Sequence, residues 1–179
     1  MKYLLYLEGD RLINNQSSGR SANRNGRTLE NTVIHTFVDK GFQVVFYREW
    51  HQNPNRYGAE LLLRNVPYTT IYGQDGKTEF LVRSQRYQLN MRLECKWQQT
   101  SGSVDEKFPY VYLNAIAAMP EPQIALLIDG GGAKPNALRW LKNAVSQRLY
   151  ESYHASNSPK TIWVWSLTEF LAWANRTLI

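Results

Sequence analysis

Residues 88–98 read Gln88-Leu89-Asn90-Met91-Arg92-Leu93-Glu94-Cys95-Lys96-Trp97-Gln98, and polar and apolar residues alternate through all of it. Successive side chains of a strand point to opposite faces. Leu89, Met91, Leu93, Cys95 and Trp97 therefore share one face, and Gln88, Asn90, Arg92, Glu94, Lys96 and Gln98 share the other. Glu94 and Lys96 become neighbours on a strand whose opposite face is apolar. A carboxylate two residues before a lysine can hold a divalent metal beside a proton-handling amine, a pairing suited to phosphodiester hydrolysis. On its own the pair fits equally well as a surface ion pair, which contributes little.

The rest of the chain sets limits on that reading. Its 179 residues fit one domain, 1–179, with a sizeable core. Hydrophobic content of 43% and charged content of 20% are ordinary for a globular protein, which excludes a disordered or fibrous chain. The formal net charge is +6 and the pI about 9.5. That balance favours an anionic partner, of which nucleic acid is the commonest. The single cysteine, Cys95, excludes an intrachain disulfide and a multi-cysteine metal site, and fits a reducing compartment. Met1 to Leu7 begins like a signal peptide, but Glu8 and Asp10 end the apolar run at once, so it reads as a short strand. No run approaches the roughly 20 apolar residues of a membrane helix. No membrane partner and a cytoplasmic location are expected.

Working outward, residues 14–27 form a polar, basic segment with Arg20, Arg24 and Arg27, expected as a flexible arm or loop able to touch phosphates, or as a solvated connector. Leu29, Val33, Ile34 and Phe37 have helical spacing, and Gly41 closes that helix. Phe42 to Trp50 reads as a strand, and Ala59 to Arg64 as helix or strand. Tyr68–Tyr72 and Lys77–Arg83 flank Gly73-Gln74-Asp75-Gly76, a hairpin turn. A second turn near Ser84 to Arg86 leads into the alternating strand. Ser103-Val104-Asp105-Glu106 has capping-box spacing for a helix to about Met119, with Pro109 placed to kink it. Gln123–Ile128 reads as a buried strand, Asn136–Tyr150 as an amphipathic helix, Thr161–Trp165 as a strand and Leu167–Leu178 as a closing helix. The order predicts a mixed α/β domain with helices flanking a central sheet.

Further carboxylates can join Glu94. If Lys77–Arg83 pairs antiparallel with the alternating strand, a tight turn sets Glu79 opposite Asn90 and Asp75 opposite Glu94. A longer turn slides Glu79 towards Glu94. Two carboxylates on adjacent strands can share one hard cation through oxygen ligands. Asp75 is better explained by turn chemistry, and Glu60 lies in a segment of open structure, but both stay as rivals. Glu30 shares or borders the inward face of the first helix, or else sits exposed near the helix start, where the dipole favours it.

These pieces resemble the PD-(D/E)xK nuclease superfamily, with its restriction-endonuclease-like αβββαβ core. The matching parts are a helix carrying Glu30, Glu79 in a strand, and Glu94-Cys95-Lys96 in the next strand, followed by helix, strand and helix. The resemblance spans about residues 27–145, with an added C-terminal strand and helix. Thr78-Glu79 stands where the family's name places Pro-Asp. The Glu-Cys-Lys-Trp-Gln run, followed by Gly-Ser-Val-Asp-Glu-Lys, is similar to bacterial and phage members.

The resemblance implies a metal-dependent nuclease. Glu79, Glu94 and the carbonyl of Cys95 would ligate Mg²⁺ or Mn²⁺, Lys96 would position or deprotonate the attacking water, and Glu30 would bind a second metal or orient water. A free lysine has a pKa of about 10.4, so positioning fits Lys96 better than acting as a strict base. Gln98, Lys107 and Tyr110 stand as supporting residues, and Arg27 and Lys134 as nucleic-acid contacts. DNA is the expected partner, with RNA left open. An endonuclease is expected, and a homodimer would let one site per chain cut both strands. The alternative is the same fold used as an inactive module that binds nucleic acid or protein. Gly130-Gly131-Gly132 could cradle a phosphate, but no Gly-Lys-Ser/Thr follows to make a P-loop. His35, His51 and His154 lack metal-ligand spacing.

Overall fold

The computed structural model describes residues 19–99, 105–151 and 160–179. The chain runs α1 (Gly19–Asp39), β1 (Gln43–Phe46), α2 (Tyr47–Gln52), β2 (Leu61–Thr69), β3 (Asp75–Ser84), β4 (Leu89–Trp97), α3 (Phe108–Ala117), β5 (Gln123–Asp129), α4 (Pro135–Ser146), β6 (Thr161–Trp165) and α5 (Leu167–Thr177). Among the described residues the strands form one sheet whose spatial order follows the chain, β1-β2-β3-β4-β5-β6. β1 and β2 are parallel, β2-β3-β4 antiparallel, and β4-β5-β6 parallel. This is the mixed α/β sheet flanked by helices that the sequence order predicts.

β4 is central, and the alternation of its residues decides what each face receives. Leu89, Met91, Leu93 and Cys95 are buried with Leu29, Val33 and Phe37 of α1 and Phe170 and Ala174 of α5. Each fully buried Leu or Phe contributes roughly 1.5–3 kcal/mol. On the opposite face, α3 and α4 cover Ile124, Leu126 and Ile128 of β5. A separate apolar cluster there joins Leu61, Leu63, Val66 and Leu81 to Tyr47 and Trp50 of α2. Arg92 is paired with Leu81 on one side and Ile124 on the other, so it sits between these two clusters. It is buried like its neighbours.

Several expectations need correction. The helix expected from Thr28 begins at Gly19, so residues 19–27 of the expected flexible arm are helical. Residues 14–18, the strand at Met1–Leu7 and the capping serine Ser103 lie outside the described residues. The strand expected to reach Trp50 ends at Phe46, where the chain turns into α2. Packing of the half-buried Tyr47 and Trp50 against the β2–β3 cluster overrides their strand propensity. Of Ala59–Arg64, the part from Leu61 onward is the start of β2. Pro109 does not kink α3, because it occupies the first turn, where no helical N–H is lost. The β3–β4 turn spans Gln85–Gln88, longer than expected, since Ser84 pairs with Leu89.

The β2–β3 ribbon carries one irregular step. The ladder pairs Arg64 with Phe80 and Val66 with Thr78, but omits Asn65 and Glu79 between them. Asn65 has φ 54°, in the left-handed region that Asn tolerates better than most residues. Faces switch there. Thr78 and Phe80 are two apart and should share a face, yet Phe80 packs under α1 while Thr78 accepts a hydrogen bond from Arg92 on the other side.

Candidate active site

Beside the irregular step β3 and β4 part. Their ladder ends at Phe80–Leu93, although continuing it would bring Glu79 level with Glu94. Beyond that point the N–H of Cys95 donates instead to Oε2 of Glu79, at 2.8 Å. A residue's N–H and C=O point to the same side of a strand, so the Cys95 carbonyl faces the same opening. Lys96 Nζ approaches that carbonyl at 3.4 Å, donates to Glu94 Oε1, and lies 3.9 Å from Glu79 Oε1.

Electrostatics bind these groups into one unit. The Glu94 carboxyl is pushed up to about 8, first by burial and then by Glu79, and Lys96 offsets only part of this. For Lys96, burial works against the charge, but Glu94 and Glu79 outweigh it and hold the ammonium above its ordinary range. The two partners differ because Lys96 keeps 28% of its side chain exposed and Glu94 only 9%. Glu94 Oε2 is buried and has no donor. Glu30 on α1 is raised by burial and then by Glu79, while Arg64 and Arg27 oppose the shift. The Cys95 thiol is driven well up by burial and then by the surrounding carboxylates, which leaves it protonated and unfit as a nucleophile.

The rivals of Glu79 lie elsewhere. Asp75 is exposed and pairs with Thr69 at the far end of the hairpin, four residues from Glu79 along β3. Glu60 Oε1 accepts the N–H of Arg86 at the β3–β4 turn, the opposite end of the strands. Arg27 is exposed near Glu30. Lys107 is exposed in the 3₁₀ turn before α3, and Lys134 is exposed at the start of α4, its N–H on Asp105 Oδ1 at 3.2 Å. Tyr110 is half-buried at the first turn of α3. Gln98 is buried, and its backbone ties β4 to the glycine turn: its N–H donates to Asp129 O and its carbonyl accepts Gly132 N–H, both at 2.8 Å.

That turn gives one test of how the end of β4 is held. Gly130 has φ 103°, and a Cβ there would collide with the backbone of Gln98. Gly130→Ala is expected to cost about 1–3 kcal/mol from strain and clash together. Gly131→Ala, also at positive φ but in open space, should cost less. Thermal unfolding of the two variants checks the order.

Three residues near the site were not singled out from the sequence: Arg64, Tyr68 and Arg92. Arg64 reaches Glu30 electrostatically. The Tyr68 hydroxyl is pushed up to about 12, by burial first and then by Glu94. Arg92 donates to Glu121 Oε1 at 2.7 Å and to Glu121 Oε2, to Val66 O and Thr78 Oγ1 at 3.1 Å, and to Pro67 O at 3.3 Å. Thr78, at the position of the family's proline, is therefore an acceptor for Arg92. A signal for Arg92 was present, since it shares strand parity with Glu94 and Lys96.

A family model described as a PD-(D/E)XK nuclease superfamily domain matches residues 21–178. No curated protein and no solved structure matches the chain. Among the described residues no helix is long and apolar enough to cross a membrane. The match covers nearly the whole chain and includes Glu30, Glu79, Glu94 and Lys96, and the chain belongs to the PD-(D/E)XK nuclease superfamily.

Proposed function

We propose that the protein is a metal-dependent nuclease that hydrolyses phosphodiester bonds in DNA, acting as an endonuclease. The observation that carries this reading is the opening between β3 and β4, where Glu79, Glu94 and Lys96 meet beside the Cys95 carbonyl. Among the described residues no three His, Cys, Asp or Glu side chains group into a metal site by themselves. A cation would take the two carboxylates and the Cys95 carbonyl. The donor set fits Mg²⁺ or Mn²⁺, being all hard oxygen and leaving room for water. The buried Glu94 Oε2 without a donor is the second element of fit.

When bound, the metal would polarise the phosphate and lower the pKa of a coordinated water. Glu79 keeps one oxygen on the Cys95 N–H, which fixes the direction of the other. Lys96, held protonated between the carboxylates, donates hydrogen bonds that orient the attacking water and offset charge growing on the phosphate. Glu30, raised by burial and by Glu79, would orient a second water. Cutting both strands of a duplex then calls for two copies related by a two-fold axis.

The test is a cleavage screen with Mg²⁺ and Mn²⁺ on linear, supercoiled, branched and single-stranded DNA and on RNA. Cleavage of DNA is expected, with Glu94→Ala and Lys96→Ala each lowering it by at least about 10²-fold. Cleavage of nothing, alongside retained DNA binding, would replace this reading with that of a binding module.

A further inference from the structure

We infer that the tip of the β2–β3 hairpin is a stacking platform for an unpaired nucleotide base, so that the site takes single-stranded or frayed DNA ahead of intact duplex. This rests on the nuclease reading above and narrows its substrate. Tyr72 is 70% exposed, the most open aromatic side chain among the described residues. A tyrosine so exposed at a hairpin tip gains nothing for the fold by burial. It is nevertheless held in place, since its ring stacks on Tyr110 of α3 with centroids 5.2 Å apart and planes inclined by 27°. One face of Tyr72 is thus supported while the side chain stays open to solvent.

The support is rigid. The neighbouring Ile71 N–H donates to Oδ1 of Asn114 at 3.0 Å. Asn114 is fully buried, and its Nδ2 donates to Tyr110 O at 2.8 Å, so one amide links the hairpin tip to the helix turn that carries Tyr110. At the base of the tip, Tyr68 lies across Gly76, where an added Cβ would meet the ring at about 3.0 Å and Thr70 at 2.7 Å. The Arg92 guanidinium covers the Tyr68 ring, 5.4 Å from its centroid. A rigid aromatic surface loses little conformational entropy on binding.

The platform lies at the tip end of the hairpin, and its base is tied to the strand that carries the site. Tyr68, at the base of the tip, lies under Arg92, which stands two residues before Glu94 on β4. A DNA strand bound on the Tyr72–Tyr110 stack would run along the hairpin from its tip towards Glu79 and Glu94. Lys107, exposed one turn before Tyr110, is placed to meet the phosphate of a stacked nucleotide. Every base has a π-face, so such a platform selects for unpaired structure and not for sequence.

The experiment uses the full chain, and its first arm needs neither metal nor turnover. Single-stranded DNA carrying 2-aminopurine is titrated with Glu94→Gln protein in EDTA, with and without Tyr72→Ala or Tyr72→Trp. Fluorescence quenching is expected with Tyr72 or Trp present, and Tyr72→Ala should weaken binding by about tenfold. The second arm compares kcat/KM on single-stranded and duplex DNA. Tyr72→Ala should lower the single-stranded value by about tenfold, mainly through KM, and leave the duplex value nearly unchanged. Equal losses on both substrates, or no loss and unchanged quenching, would overturn the platform while leaving the nuclease reading standing. Quenching that depends on Tyr72 in a protein that cleaves nothing would keep the platform and remove the nuclease.

Discussion

Glu94→Gln is expected to abolish cleavage and at the same time make the metal-free protein more stable. The activity loss follows from taking away a charged oxygen donor that no neighbour can replace. The stability gain follows from burial. A carboxylate held at about 8, chiefly by desolvation and then by Glu79, is one the fold prefers to keep protonated. Its contribution is fully present below the ordinary carboxylate value of 4.5 and is lost as pH rises through about 8. The wild type should therefore lose stability across that window, while the glutamine variant lacks this part of the slope. Near pH 4 the two should unfold at similar temperatures, and at pH 8.5 the variant should be ahead by about 1–2 kcal/mol. Thermal unfolding in EDTA across pH checks this. A variant less stable than wild type at pH 8.5 would mean that the Lys96 ion pair outweighs the burial cost. Adding Mn²⁺ should raise the wild-type Tm and leave the variant little changed.

The second large effect concerns Arg92. Arg92→Leu is expected to destabilise the fold by about 3–5 kcal/mol, because it strands the buried carboxylate of Glu121. For a chain of this size that is a drop in Tm of about 10 °C. It also releases Val66 O, Pro67 O and Thr78 Oγ1 together, the acceptors on both strands flanking the irregular step at Asn65. Arg92→Leu with Glu121→Leu should recover much of the stability, since no charge is then left unpaired. Activity separates the two roles. If Arg92 serves only the core, the double variant regains cleavage with its stability. If it also holds the opening between β3 and β4, the double variant folds and stays slow. Arg92→Lys should rescue poorly, because an ammonium cannot match the forked carboxylate contact.

What the sequence made legible, and what it hid, divides along local and non-local causes. The parity of residues 88–98 was enough to place Glu94 and Lys96 together and to put Leu89, Met91, Leu93 and Cys95 on one buried face, because strand alternation is a local rule. Element order followed from periodicity, and the family resemblance agrees with the domain model over residues 21–178. Which carboxylate reaches Glu94 was not legible, since it depends on the length of the Gln85–Gln88 turn and on a left-handed residue in a different strand. Parity put Arg92 on the polar face with Glu94 and Lys96, but its partner Glu121 was hidden because it lies 29 positions away. The Gly-, Ser- and Asn-rich composition of residues 19–27 read as a loop, although the chain is helical there. The aromatic run that ends β1 read as strand, and only packing against β2 and β3 turns it into α2.

One feature of the opening reaches beyond geometry. The Cys95 amide answers to a carboxylate, where its neighbours in the sheet answer to another backbone. A cation that drew on Glu79 would weaken this hydrogen bond. On the proposed reading, strand pairing and cation binding would then compete at this position. The Cys95 amide proton would report on both.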